Sequence, residues 1–122
     1  MTNTRFTDPS LPLAERTCVP CEGGIPPLTK KEAEALMPEL DAEWMLIDEA
    51  HLLARSFRFK DFKETMEFVN KVAAIAERQG HHPDLTISYG SATVELMTHA
   101  IGGLSENDYI LAAKIDTLGA QS

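Results

Sequence analysis

The stretch AERQGHHPDLTISYG, from Ala76 to Gly90, changes its period in the middle. Upstream, Phe62, Met66, Val69, Ala73 and Ala76 recur at steps of four and three, which predicts an amphipathic helix over Asp61–Gln79. Gly80 stands where such a helix ends in the left-handed conformation. Pro83 fixes its own φ and pushes His82 toward extended backbone. Strands then follow near Leu85–Tyr89 and Ala92–Thr98, joined through Gly90-Ser91. Two of the chain's four histidines, His81 and His82, sit at the junction; the others are His51 and His99.

Working outward, Thr29-Lys-Lys-Glu32 is a capping box, so a short helix is expected from there to about Met37-Pro38. Two strand-like runs come next, about Glu43–Asp48 and Leu52–Lys60. In the second, Leu53, Phe57 and Phe59 share one parity, with Ser56 and Arg58 between them. On the far side, Gly102-Gly103 breaks the chain. Ser105-Glu-Asn-Asp108 is a second capping box, with Leu104 and Tyr109 spaced as a hydrophobic staple. A last helix carries Leu111, Ile115 and Leu118 on one face. The order α-β-β-α-β-β-α places two hairpins between helices. It predicts the α+β class, an antiparallel sheet of four strands covered on one face.

Five of the seven prolines precede Thr29, so residues 1–28 read as an irregular arm and 29–122 as the domain. Cys18 and Cys21 form a CxxC in that arm. One such pair is no disulfide framework, and a reducing compartment keeps it as thiols. A net charge of −8, with no cluster of Lys and Arg, argues against a nucleic-acid partner. No apolar run reaches the roughly 20 residues of a membrane helix, and the N-terminus lacks a secretory pattern. A cytoplasmic protein is expected.

The chemistry-bearing residues gather at element ends. Glu77, in the last turn of the long helix, can bring its carboxylate near an imidazole, and a helix C-terminus favours a cation there. His99 is expected to end the fourth strand, and Asp108 lies in the first turn of the last helix. Each has a structural alternative: a histidine as a C-terminal cap, Glu77 as a solvated residue, Asp108 as the N3 member of its capping box. Their convergence favours an acid/base site. A zinc site built from His81, His82 and His99 is disfavoured, because adjacent residues on extended backbone point to opposite sides. Nucleophilic catalysis is weaker still, with no Gly-x-Ser-x-Gly elbow and cysteines only in the arm.

The pattern Glu77-x3-His81-His82-Pro83-x5-Tyr89-x9-His99-x8-Asp108 resembles the signature of the pterin-4a-carbinolamine dehydratase family. Trp44, FRFKDF (Phe57–Phe62) and THAIGGLSENDYILAAKID (Thr98–Asp116) extend the resemblance over about Thr29 to Leu118. It implies four antiparallel strands with three helices on one face, and assembly as a homo-oligomer, dimer or tetramer. It implies dehydration of 4a-hydroxytetrahydropterin to quinonoid dihydropterin, recycling the cofactor of aromatic amino acid hydroxylases, with no metal or organic cofactor. The catalytic residues would then be His81, His82 and His99, supported by Glu77, Pro83 and Asp108, with Asp108 pointing toward His99. An aromatic amino acid hydroxylase is the implied protein partner. The alternative within the same resemblance is a non-catalytic assembly module or transcription partner.

Overall fold

The computed structural model describes residues 10–19 and 25–118. Helix α1 (Lys30–Leu36) starts at Thr29, whose hydroxyl accepts from Glu32 N–H while the Glu32 carboxylate accepts from Thr29 N–H. Pro38 ends it, and the chain tightens into a 3-10 turn over Met37–Glu39. Strands β1 (Met45–Ile47) and β2 (Leu52–Arg58) form a hairpin. Asp48, Glu49 and Ala50 at its turn all take left-handed φ, and His51 N–H closes it by donating to the carbonyls of Ile47 and Asp48. Helix α2 (Phe62–Gln79) leads to β3 (Asp84–Ser88), β4 (Ser91–Leu96) and α3 (Glu106–Asp116). The strands form one antiparallel sheet in the order β1-β2-β4-β3, which is the expected architecture.

One face of this sheet makes the core. Leu53 and Phe57 of β2 and Ala92, Val94 and Leu96 of β4 alternate inward and are essentially buried. Phe68 of α2 lies over Phe57 and Phe59, with ring centroids 4.5 and 5.1 Å apart. Burying each such ring stabilises the fold by about 2 kcal/mol. The buried stripe of α2 is Thr65, Phe68, Val72, Ile75 and Ala76, with Val69 beside it. The stripe expected from the sequence is rotated from this one: Phe62 is 48% exposed and Ala73 is also exposed. The helix is apolar over a broad arc, and the bulkier Phe68-Val72-Ile75 row fills the space over the sheet.

Arg55 shares the inward parity of Leu53 and Phe57, yet it is a cation in the core. Its guanidinium lies over the Phe57 ring and donates to Asp116 Oδ1 at 2.7 Å; the same oxygen accepts from Trp44 Nε1 at 2.8 Å. The last helix is buried nearly all round, from Glu106 through Ala113. Sheet and α2 cover part of it, and the front arm covers more. Leu13, in a 3-10 turn over Leu13–Glu15, is buried, and Lys114 Nζ donates to the Ala14 carbonyl. Residues 10–19 are therefore docked rather than loose; Cys21 lies outside the described residues.

Tyr109 is fully buried and donates its hydroxyl to the Ala33 carbonyl at 2.7 Å, which ties α3 to α1. Burial, together with the neighbouring Asp108 charge, pushes its phenol well above the ordinary value of 10.0. Folding therefore favours the neutral phenol. The contribution is complete below the unfolded value and is lost as pH rises from about 10 toward the folded value. Urea midpoints should fall across that window, and Tyr109→Phe should flatten the slope. Parallel pH dependence in the variant would contradict this assignment.

Candidate active site

Gly80 takes φ 66 at the end of α2, and both its N–H and that of His81 return to the Ala76 carbonyl. This reversal throws His81 across the N-terminus of α3. His81 Nε2 lies 2.6 Å from Asp108 Oδ1. Asp108 is completely buried, and its second oxygen accepts from Thr98 Oγ1 at 2.8 Å and from Ser105 N–H at 2.9 Å. Because the Thr98 hydroxyl donates to the carboxylate, the Ser105 hydroxyl, 2.7 Å away, donates to Thr98. Ser105 N–H and the Thr98 hydroxyl both donate to Asp108, so a carboxylate there accepts from the His81 ring as well. His81 therefore carries its proton on Nε2, and Nδ1 is left as the ring's acceptor. No described residue bonds to that nitrogen.

Asp108 thus caps the helix and contacts a histidine at once. One oxygen closes the capping box with Ser105, and the other holds His81. The partner differs from the expected one: Asp108 faces His81, not His99. The reason is local. Strand β4 ends at Leu96, and His99 opens a 3-10 turn over His99–Ile101 rather than ending the strand. That turn swings the imidazole outward, where Nε2 comes within 3.9 Å of Asp84 Oδ2, with both side chains exposed. Thr98, the residue before, turns inward to Asp108 instead.

His82 points away from His81, as alternation on extended backbone dictates. Its Nε2 lies 2.6 Å from Glu77 Oε2 on the surface, with 60% of the His82 side chain exposed. Pro83 carries the chain from His82 into β3. The antiparallel register pairs Asp84 with Glu95, so the start of β3 and the end of β4 lie side by side. His81, His82 and His99 therefore share one end of the sheet, each with a different carboxylate. Tyr89, although part of the sequence pattern, lies at the opposite end of β3 beside the Gly90 turn and is exposed. His51 stays at the β1–β2 turn. Among the described residues, no group of three or more His, Cys, Asp or Glu side chains is placed to hold one metal ion.

Thr98 and Asp84 were not singled out by sequence reasoning. Each directly adjoins a residue that was, His99 and Pro83, but nothing in a lone Thr or Asp predicts which way it turns.

The set is thus one histidine locked by a buried carboxylate and two more on exposed carboxylates at the rim of an α+β sheet. Residues 26–118 match the family model described as pterin 4 alpha carbinolamine dehydratase. A Rickettsia bellii protein carrying the name pterin-4-alpha-carbinolamine dehydratase is 54% identical over 106 residues, 87% of this chain and 93% of that one. A Nitrosomonas eutropha protein of the same name is 53% identical over 106 residues, 87% and 92% of the two chains. The crystal structure of a transcriptional coactivator/pterin dehydratase from Brucella melitensis superposes with a TM-score of 0.70 at 34% identity, covering 75% of this chain and 97% of that one. The chain belongs to the pterin-4a-carbinolamine dehydratase family, whose named reaction is that of a hydro-lyase. A further structural neighbour, at TM-score 0.55 and 25% identity over 66% of this chain and 93% of its own, is a pterin dehydratase-like protein identified as a RuBisCO assembly factor.

The tautomer argument is open to direct measurement. In Asp108→Asn, the amide can still accept from Thr98 and Ser105 but must present NH2 to His81. The ring then accepts at Nε2 and moves its proton to Nδ1. The fold should survive with a loss of about 1–2 kcal/mol. Nitrogen chemical shifts of His81 should report the exchange of tautomers; the parent's tautomer persisting in the folded variant would sink the argument.

Proposed function

We propose that this chain dehydrates 4a-hydroxytetrahydropterin to quinonoid dihydropterin and water, with its histidines as the acid and base. The observation that carries the proposal is the His81–Asp108 pair at 2.6 Å, with Nδ1 of His81 left open. In the reaction the C4a–O bond breaks and its electron pair leaves with the hydroxyl, which takes up a proton and departs as water. The N5–H proton passes to a base as the C4a=N5 double bond forms. Hydroxide is a poor leaving group, so an acid at the oxygen matters as much as a base at N5. Imidazole serves either role near neutral pH.

The buried Asp108 fixes the orientation of His81 and balances the charge gained when Nδ1 takes a proton, as a buried carboxylate does for a triad histidine. His82, exposed and paired with Glu77, would meet the substrate from the solvent side, and His99 would act from across the β3–β4 ends. Pro83 holds the backbone between them. The product, once a separate reductase has returned it to tetrahydropterin by a two-electron reduction, would serve an aromatic amino acid hydroxylase again, in the cytoplasm, and the dehydration itself requires no metal or organic cofactor. The assembly-module alternative draws on the RuBisCO assembly factor among the structural neighbours. A pure scaffold has no need of two further exposed histidines, each beside its own carboxylate, at the same end of the sheet, which favours the enzyme.

The same proposal includes a homo-oligomer. Strand β3 is an outer strand of the sheet, and Met45, Phe62, Ile87 and Tyr89 are large apolar side chains left exposed. Light scattering should report at least a dimer at micromolar concentration; a monomer would count against this part alone.

For the chemistry, His82→Ala should lower the dehydration rate by about two orders of magnitude, the usual worth of a general acid or base. Its stability should hardly change, because the side chain is largely in solvent. Unaltered turnover would remove His82 from the reaction.

A further inference from the structure

Among the described residues of the arm, 16–19 lie over the two supports of the His81–Asp108 pair. Cys18 N–H donates to Gln79 Oε1 at 2.9 Å, and Gln79 ends α2, two residues before His81. One step on, Val19 N–H donates to Asn107 Oδ1 at 3.0 Å, and Asn107 Nδ2 donates back to the Val19 carbonyl at 2.6 Å. Cys18 Sγ also approaches the Asn107 carbonyl at 3.7 Å. Asn107 immediately precedes Asp108. Arg16 makes a buried ion pair with Glu106, one residue earlier again. Three of four successive arm residues, Arg16, Cys18 and Val19, thus join the end of α2 to the first turn of α3.

Geometry makes this joint consequential. Along the chain, Gln79 and Asn107 are separated by the whole β3–β4 hairpin and the turn after it. The His81–Asp108 contact spans the same gap in a single hydrogen bond. Its length depends on where two helix ends sit relative to each other, and helix ends fray. A side-chain amide that both accepts from and donates to one residue's backbone fixes direction as well as distance. Glu106 and Asn107 are both nearly buried, so these bonds work out of competition with water.

We propose that residues 16–19 are a strap that sets the spacing of the His81–Asp108 pair, with Gln79 and Asn107 as positioning residues. The inference rests on the acid/base reading of that pair. It assigns the arm a role in the reaction without giving it any group that touches substrate.

The test uses the full chain with Gln79→Leu and, separately, Asn107→Ala. Three quantities are read: kcat and KM for dehydration, the melting temperature, and the downfield imidazole N–H resonance of His81, assigned by its loss in His81→Gln. The strap predicts that the resonance shifts or broadens and that kcat falls about tenfold, since small misplacements of reacting groups are costly. KM should stay within about twofold. Asn107→Ala removes more bonds from a buried position; if it does not fold, Gln79→Leu, at a half-buried helix end, decides alone. An unchanged resonance in folded Gln79→Leu overturns the strap, whatever the rate does. A lower melting temperature with resonance and kcat both intact shows a purely structural arm and overturns it too. Full activity in His81→Gln would instead overturn the acid/base reading, so the two failures are distinguishable.

Discussion

Placing a carboxylate wholly out of water costs several kcal/mol unless hydrogen-bond donors surround it. Asp108 has no exposed surface, so the fold around it has to supply those donors. They come from three separate pieces of chain: the imidazole after α2, the hydroxyl after β4, and the backbone N–H at the start of α3. Each must arrive in register for the other two to count, since a half-satisfied buried network is worse than none. That requirement explains features that look independent. Gly80 turns the chain sharply enough to bring His81 across. The Thr98–Gly103 bridge, with hydrogen bonds in both directions, holds the turn that presents Thr98. A methyl group on Gly103 would meet Pro27 at 2.8 Å, so this turn also packs tightly against the segment leading into α1.

The same constraint sorts the histidines. His81 is fixed from behind by a charge that water cannot reach. His82 and His99 face outward on carboxylates that water screens. A proposed acid/base site gains from this division. The fixed ring has one defined tautomer and one open nitrogen, while the exposed rings face the solvent from which a substrate arrives. The shared end of the sheet follows from the antiparallel register alone, because β3 begins where β4 finishes.

Much of this was legible in the sequence. Two capping boxes, the Gly80 stop, the Pro83 restart and the strand alternation fixed the order of elements, and the family resemblance supplied the sheet. What the sequence hid was direction. The α2 stripe could not be told from its neighbour, because apolar residues cover too broad an arc; side-chain bulk against Phe57 and Phe59 chose between them. Arg55 lies on the inward parity of Leu53 and Phe57, and nothing local marks Asp116, 61 residues away, as its partner. The partner of Asp108 was missed because His99 lies nearer in sequence, and a three-residue 3-10 turn reversed which side chain points inward. The arm read as irregular because prolines and glycines carry no period. Its docking depends on single side chains of α3, Glu106 and Asn107, which no local pattern reveals.

The central claim is that the end of this sheet moves protons on a carbinolamine. The most direct measurement is a stopped-flow record of freshly generated 4a-hydroxytetrahydropterin, with the parent protein and with folded His81→Ala. The account predicts that the parent accelerates the decay in proportion to its concentration and that the variant loses most of that acceleration. Decay with the parent protein at the buffer rate would contradict it.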